Sequence, residues 1–267
     1  MLSDHLCLIR GGGDLGTGVA LQLKRKGMPV IVCDLNDPLA VRRKVAFSTA
    51  IIDGKIRVEE VTGIRIDDLS KITDFLTTGI VPVFISKSLP EIHVSVIVDA
   101  RMRKKTTDTK IDDADLVVAL GPGFFAGQDC HAVVETMRGP EMGQVIWDGS
   151  AQMNTGVPGE VGGLTSERLL RSPANGKIQW SKDIGDLVEE GEVVGSVNGK
   201  AVLAGTNGLI RGLINEGSLL EINMKVGDID PRGIGVDVNK ISDKALAVGD
   251  GVTEAVIEWL EKKKSNL

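Results

Sequence analysis

Tyrosine is absent from this sequence, and aromatic residues supply only 3% of it. A core must therefore be built from aliphatic side chains, and little surface is left for stacking the bases of a single-stranded nucleic acid. The three cysteines, Cys7, Cys33 and Cys130, are odd in number, widely spaced and form no C-x-x-C pair. That excludes a zinc ribbon or a disulfide framework and leads to the expectation of a reducing, cytoplasmic compartment. Histidine is equally scarce at three residues, and no Ser-His-Asp set, paired-carboxylate signature or P-loop emerges. No run approaches the ~18 consecutive apolar residues of a membrane span. The first residues, with Asp4 and His5 ahead of a short apolar stretch, do not read as a signal peptide. Positive charge is in deficit too, and a net charge of −6 argues against a protein that neutralises a nucleic-acid backbone or an anionic membrane surface. Two local basic runs remain, Arg42-Arg43-Lys44 and Arg101, Arg103, Lys104, Lys105; such runs are mostly solvated faces.

What is present fits a globular chain of two domains, with 267 residues, 42% of them hydrophobic and 25% charged. Leu6 to Ile9 is a short apolar run ending at glycines. Leu15 to Lys26 is helical, with Leu15, Val19 and Leu23 on one face, and Gly27 stops it. Val30 to Cys33 is a second buried strand, which completes a βαβ unit. Val81 to Ile85, Val94 to Val98 and Leu116 to Leu120 are continuous apolar runs of strand length, as parallel strands covered on both faces should be. Helices are predicted over Ile66 to Leu76 and Gln128 to Met137, and a hairpin turning at Asp53-Gly54. The fold class expected is α/β, a Rossmann-like parallel sheet in residues 1–165, followed by a small all-β module in 166–235 and a C-terminal helix in 236–267 packing on the first domain.

The β module repeats itself: Pro-Ala-Asn-Gly-Lys-Ile at 173–178 echoes Gly-Thr-Asn-Gly-Leu-Ile at 205–210. Ile184 to Glu192 looks like the turn sequence of biotinyl and lipoyl domains, which implies a barrel-sandwich hybrid. Lys200, after Asn198-Gly199, falls where a carrier lysine would sit, but the methionine flanks of carrier sites are missing and Met224-Lys225 lies in the wrong half. The fold is expected without the swinging arm.

Gly11, Gly13 and Gly16 spell G-x-G-x-x-G between a strand and a helix, and Asp34 ends the next strand roughly 20 residues on. Gly11 would permit the tight turn, Gly13 the approach of a pyrophosphate, and Gly16 close packing of helix on strand. Helix amides and dipole favour the anion. Asp34 would accept from a ribose 2′-hydroxyl and repel a 2′-phosphate, favouring NAD-like over NADP-like ligands. Asp14 departs from the pattern by placing a negative charge beside the phosphate. Arg101 and the turn at Gly121 and Gly123 follow strands and belong at the same carboxyl edge. Arg101 would hold a phosphate or pair with a neighbouring aspartate; Gly121 and Gly123 would line the site or only shape the turn. Asp129, Cys130, His131 and Glu135 form either a nucleophile or metal pair, or a set of capping and packing groups. Gly227 to Arg232 reads as a polar turn, either ligand-binding or an ion-paired linker.

Taken together, GGGDLGTGVA at 11–20, VDARM at 98–102, GPGFFAG at 121–127, HAVVETMRG at 131–139, NTGVPGEVGG at 154–163 and KVGDIDPR at 225–232 resemble the selenium-dependent molybdenum hydroxylase system protein family over nearly the whole chain. Cys130 stands at a position usually aliphatic in that family. The resemblance implies an accessory protein that matures a selenium-dependent molybdenum hydroxylase partner. The Rossmann part is similar to that of xanthine dehydrogenase accessory proteins, which makes the molybdenum cofactor, a pterin dinucleotide, an expected occupant of the phosphate site. An NAD-dependent oxidoreductase and a non-catalytic scaffold for protein contacts are the alternatives. The expected partners are a nucleotide-type small molecule and the hydroxylase, with a homo-oligomer possible and with neither nucleic acid nor membrane.

Overall fold

The computed structural model describes residues 1–102, 108–154, 156 and 159–265. Arg103, Lys104 and Lys105 of the second basic run, and Thr155, Val157 and Pro158 of the NTGVPGEVGG motif, lie outside the described residues. The chain forms two compact units, one from Met1–Asn36, Ala46–Asn154 and Ile241–Leu267, the other from Asp37–Val45 and Thr155–Lys240.

The first unit runs β1 (Cys7–Arg10), α1 (Asp14–Arg25), β2 (Val30–Asp34), α2 (Thr49–Asp53), β3 (Lys55–Val58), β4 (Val61–Arg65), β5 (Ile80–Ile85), β6 (Val96–Asp99), β7 (Leu116–Leu120), β8 (Ala132–Val134), β9 (Val145–Ile146) and α3 (Asp243–Ser265). Its sheet has nine strands in the order β3-β4-β5-β2-β1-β6-β7-β8-β9. The strands from β4 to β8 are parallel to their neighbours, while β3 and β9 join antiparallel at the two edges. Every residue of β1, β6 and β7 is buried, because both faces are covered. On one face Leu8, Ile31, Phe84, Ile97, Val117 and Val133 pack with Ile72, Phe124 and Cys130. The alternate residues, such as Ile9, Val32 and Val118, point the other way, to the side that holds buried Val19 and Leu23 of α1 and Val248, Val252 and Val256 of α3.

The two helices meet backbone to backbone. A Cβ on Gly18 would collide with the carbonyl oxygen of Ala245, and one on Gly249 would fall 2.5 Å from that of Gly18. The start of α3 is held by Ser242, whose Oγ accepts from the Ala245 amide at 3.0 Å.

The second unit contains β10 (Leu169–Arg171), β11 (Gly176–Trp180), β12 (Leu187–Val188), β13 (Val193–Val197), β14 (Lys200–Leu203), β15 (Gly208–Leu213), β16 (Leu219–Leu220) and β17 (Lys225–Asp230). They form two four-stranded sheets, β10-β17-β15-β12 and β14-β13-β11-β16, antiparallel throughout. A core of Leu170, Ile178, Val194, Ile210, Leu213 and Ile229 joins them. Residues 37–45 are built into this unit: Arg43 Nε donates to the Leu213 carbonyl at 3.1 Å and Lys44 Nζ to that of Ile184 at 2.9 Å.

The expected fold class is thereby corrected to an α/β chain with a large mixed sheet and a C-terminal helix. The parallel Rossmann-like sheet gives way to a mixed one because two short edge strands, β3 and β9, pair antiparallel at its ends. A biotinyl- or lipoyl-like barrel-sandwich is not evident, and the second unit also includes the separate segment Asp37–Val45. Local readings change as well. The helix predicted over Ile66 to Leu76 is only a 3-10 turn, Leu69–Phe75, in which Asp68 accepts from the Ser70 amide at 3.0 Å. The helix predicted over Gln128 to Met137 is replaced by β8, whose Ala132-Val133-Val134 is fully buried and β-branched at two of its positions. Gly54 closes α2 with φ 82, and the hairpin turns instead at Glu59, φ 51, and Glu60. Gly227 to Asp230 is strand, not turn.

Gly18→Val should push α1 off α3 and cost about 2 kcal/mol or more in urea unfolding. Gly79→Ala, where a Cβ meets nothing within 4 Å, should leave stability within about 0.5 kcal/mol. Equal effects of the two would refute the backbone contact.

Candidate ligand site

At the carboxyl end of β1 the chain carries Gly11, Gly12, Gly13 and Gly16, and three of the four are glycine for reasons internal to the protein. Gly11 has φ 101, and a Cβ there would stand 3.0 Å from the backbone of Ala100 and Arg101. Its amide donates to the Cys33 carbonyl at 2.8 Å. A Cβ on Gly12 would stand 2.8 Å from the Ser48 nitrogen and 2.9 Å from Val32 Cγ1. The Gly12 amide donates to Asp34 Oδ2 at 2.7 Å, and its carbonyl accepts from the Ser48 amide and the Thr17 hydroxyl at 2.9 and 3.1 Å. A Cβ on Gly16 would collide with the Gly11 carbonyl.

Gly13 is different. Its φ of −69 and ψ of −168 suit any residue, and nothing lies within 4 Å of a Cβ built on it. It is the N-cap of α1, with no side chain capping the helix. The amides of the first turn have no acceptor inside the helix, and the dipole makes this end positive. Asp14, expected to crowd a phosphate, has Oδ2 accepting from Ser242 Oγ at 3.1 Å, toward the start of α3.

Asp34 ends β2 and serves first as a structural acceptor, taking the Gly12 amide on Oδ2 and the Leu35 amide on Oδ1 at 2.8 Å. Burial raises its carboxyl above the usual range, against the pull of those two amides and of the nearby Arg101 charge. Each oxygen accepts one backbone hydrogen bond and has a second lone pair suited to a hydroxyl.

The chain leaves β1 for β2 on one side and later places β6 on the other, so the carboxyl ends of β1 and β6 form a switch point, the usual ligand crevice of an open α/β sheet. A four-charge network lies there. Arg10, 1% exposed, donates to Thr109 Oγ1 at 2.6 Å and Asp108 Oδ2 at 2.8 Å. Arg101 grips fully buried Asp99 with Nε and Nη2 at 3.1 and 2.6 Å, and reaches Asp108 at 2.7 Å and Thr109 at 3.0 Å. Thr109 donates in turn to Asp99 at 2.7 Å. Arg101 thus reaches the expected edge, but with its fork engaged by aspartates. Burial works against its charge, yet the bonds to Asp99 and Asp108 raise its pKa further. Asp108 is held well below the usual carboxylate range, its partial burial being overcome by the bonds from Arg10 and Arg101.

The turn after β7 adds Gly121, φ 70, and Gly123, φ 108. The Gly121 amide donates to the Val134 carbonyl at 2.9 Å, and a Cβ there would press on Thr136 Oγ1 at 2.6 Å and Met102 Cε at 3.1 Å. Residues 129–135 are engaged by the fold. Asp129 accepts from the Phe125 amide at 2.8 Å, His131 Nδ1 from the Val117 amide at 3.0 Å, and the two oxygens of Glu135 from the Met137 and Gln152 amides, each at 2.7 Å. Burial pushes the Cys130 thiol up to about 12. Arg10, Asp108 and Thr109 were not singled out from sequence; the available hint was an arginine continuing an otherwise apolar strand.

No family model matches the chain. It is 42% identical over 259 residues to the uncharacterized protein YqeB of Escherichia coli strain K12, covering 96% of this chain and 48% of that protein. The chain therefore spans about half the length of the curated relative it matches. Solved structures with weak likeness include an aspartoacylase family protein from Mesorhizobium loti, 17% identical with a TM-score of 0.27 over 84% of both chains. A succinylglutamate desuccinylase/aspartoacylase from Rhodobacter sphaeroides is 13% identical, with TM-score 0.27 over 84% of both. The product-bound ectoine utilization protein EutE of Ruegeria pomeroyi is 18% identical, with TM-score 0.23 over 32% of this chain and 27% of that one. Scores this low transfer no activity. None of these proteins is named for molybdenum, selenium or a hydride carrier, and the resemblance to the selenium-dependent molybdenum hydroxylase system protein family is corrected accordingly. The maturation role and the molybdenum cofactor fall with it, as does the oxidoreductase alternative.

Asp108 supplies a pH test. Its pKa is lowered in the folded state, so its stabilising contribution is fully present above the unfolded value of about 3.9 and is lost as pH falls toward the folded value. Asp108→Asn should be less stable than the parent at pH 7, and the gap should narrow as pH drops below about 4. Urea unfolding across pH reads this; a gap that stays constant would remove Asp108 from the network.

Proposed function

We propose that the first unit binds a nucleotide carrying a diphosphate, with the phosphates over Gly13 at the start of α1 and a ribose hydroxyl at Asp34. The observation that supports this is the difference among the glycines. Gly11, Gly12 and Gly16 are required by the chain itself, whereas Gly13 has neither a backbone strain nor a neighbour to account for it. The open space stands over the helix end whose amides and dipole attract anions. Asp34 lies one hydrogen bond from the same loop. Gly121 and Gly123 shape the turn after β7, and Arg101 is held by Asp99 and Asp108 after β6. The role assigned is binding, with no reaction: the nearby Cys130, His131 and Glu135 are engaged in packing and backbone hydrogen bonds. A cytoplasmic setting belongs to the same proposal, supported by three free, buried cysteines. Among the described residues, no helix is long and apolar enough to cross a membrane.

Calorimetric titration with ADP and NAD tests the reading, using Gly13→Asp. An N-cap aspartate should stabilise α1 by about 0.5 kcal/mol, while its charge and bulk at the open position weaken nucleotide binding by about tenfold or more. A parent protein that binds neither nucleotide at millimolar concentration, or a variant that binds as well as the parent, would sink the proposal.

A further inference from the structure

The second unit holds an arginine in a different condition from those above. Arg211 lies on β15 at a register shift between Ile210 and Gly212, so it is the extra residue of a bulge against β17. Its side chain is 13% exposed, and it makes one ion pair, Nη1 to Asp230 Oδ2 at 3.3 Å. Asp230 is already gripped by Arg232, at 2.9 Å from Nε and 2.7 Å from Nη2. The buried Nε of Arg211 has no hydrogen-bond partner, and neither has that of Arg168, itself 9% exposed. Arg168 donates to Asp228 and, at 2.9 Å, to the Gly159 carbonyl. Lys225 stands 3.6 Å from Asp228.

Arg42 adds to this concentration of charge. The Val41 carbonyl would lie 2.7 Å from a Cβ on Gly212, which places this segment beside the bulge. The charge of Arg42 and, above it, burial lower the pKa of Arg211, against the attraction of Asp230 and Asp228. A guanidinium has five N–H donors in a planar fork. Leaving the Nε donor without an acceptor, in a nearly buried place beside a like charge, is costly unless an anion completes the arrangement.

We propose that this cluster is an oxyanion seat, and that Arg211, with Arg168 and Arg232 around the Asp228 and Asp230 pair, takes the phosphate group of a small molecule. A dianionic tetrahedral group offers acceptors to several forks at once and offsets more charge than a carboxylate does. The seat lies in the second unit and stands apart from the nucleotide proposal for the first.

The test uses the full chain with Gly13→Asp as background, which disables the first-unit position, and inorganic phosphate as probe against acetate at matched ionic strength. Calorimetry and thermal unfolding should show phosphate binding in that background and not acetate binding. Adding Arg211→Met should weaken phosphate binding by about tenfold or more while leaving the phosphate-free melting temperature equal or higher, since an unsatisfied buried charge has been removed. Arg211→Lys, which keeps the charge but loses the fork, should also bind more weakly. Absence of phosphate binding in the Gly13→Asp protein would overturn the proposal, as would equal response to acetate. So would Arg211→Met if it melts lower and leaves phosphate affinity unchanged, the behaviour of a merely structural ion pair.

Discussion

A guanidinium on the central strand of the nine-stranded sheet governs the first unit. Arg10 is 1% exposed, and a charge in that position must be paired and fully hydrogen-bonded or the strand would not remain buried. Its partners, Asp108 and Thr109, arrive from far along the chain and also bind Arg101, which is tied to Asp99 at the end of β6. Neutralising Arg10 therefore fixes the segment after β6, and Ala100 in that segment is the surface against which Gly11 turns. The shape of the glycine loop follows from an ion network beneath it.

The same dependence explains what a glycine motif can and cannot say. The spacing of Gly11, Gly13 and Gly16 between a strand and a helix was legible, as were β1, α1 and β2, because apolar runs and a stop glycine carry strong local signals. A turn at Gly11 and close packing at Gly16 were readable as expectations; their partners, the Ala100 backbone that follows β6 and the Gly11 carbonyl beside Gly16, were not. The residue with no structural task is the informative one, and only the folded loop distinguishes it.

Elsewhere local pattern and tertiary demand pointed in different directions. His131 and Glu135 stand four apart, a helical spacing, yet Ala132-Val133-Val134 between them is taken into the sheet beside β7, where burial outweighs the helical pattern. Asp53-Gly54 has hairpin composition, but Gly54 ends a short helix and the turn moves to Glu59, which accepts a left-handed backbone. The edge strands β3 and β9 are too short or too polar to distinguish from loops by periodicity, and they are what makes the sheet mixed.

Arg10 and Arg211 show why burial alone does not mark function. Both interrupt apolar strand sequence, Cys-Leu-Ile-Arg in one and Leu-Ile-Arg-Gly-Leu in the other, and both are largely enclosed. Arg10 has close partners, a carboxylate and a hydroxyl, at 2.8 and 2.6 Å, so its charge is satisfied within the protein. Arg211 shares a distant carboxylate with a better-placed competitor and leaves a buried N–H without an acceptor. A fold has little reason to retain the second arrangement for stability, because an apolar residue of similar volume would pack there without the penalty of an uncompensated charge. Satisfaction of donors, rather than depth, separates an arginine that builds the protein from one that waits for a ligand.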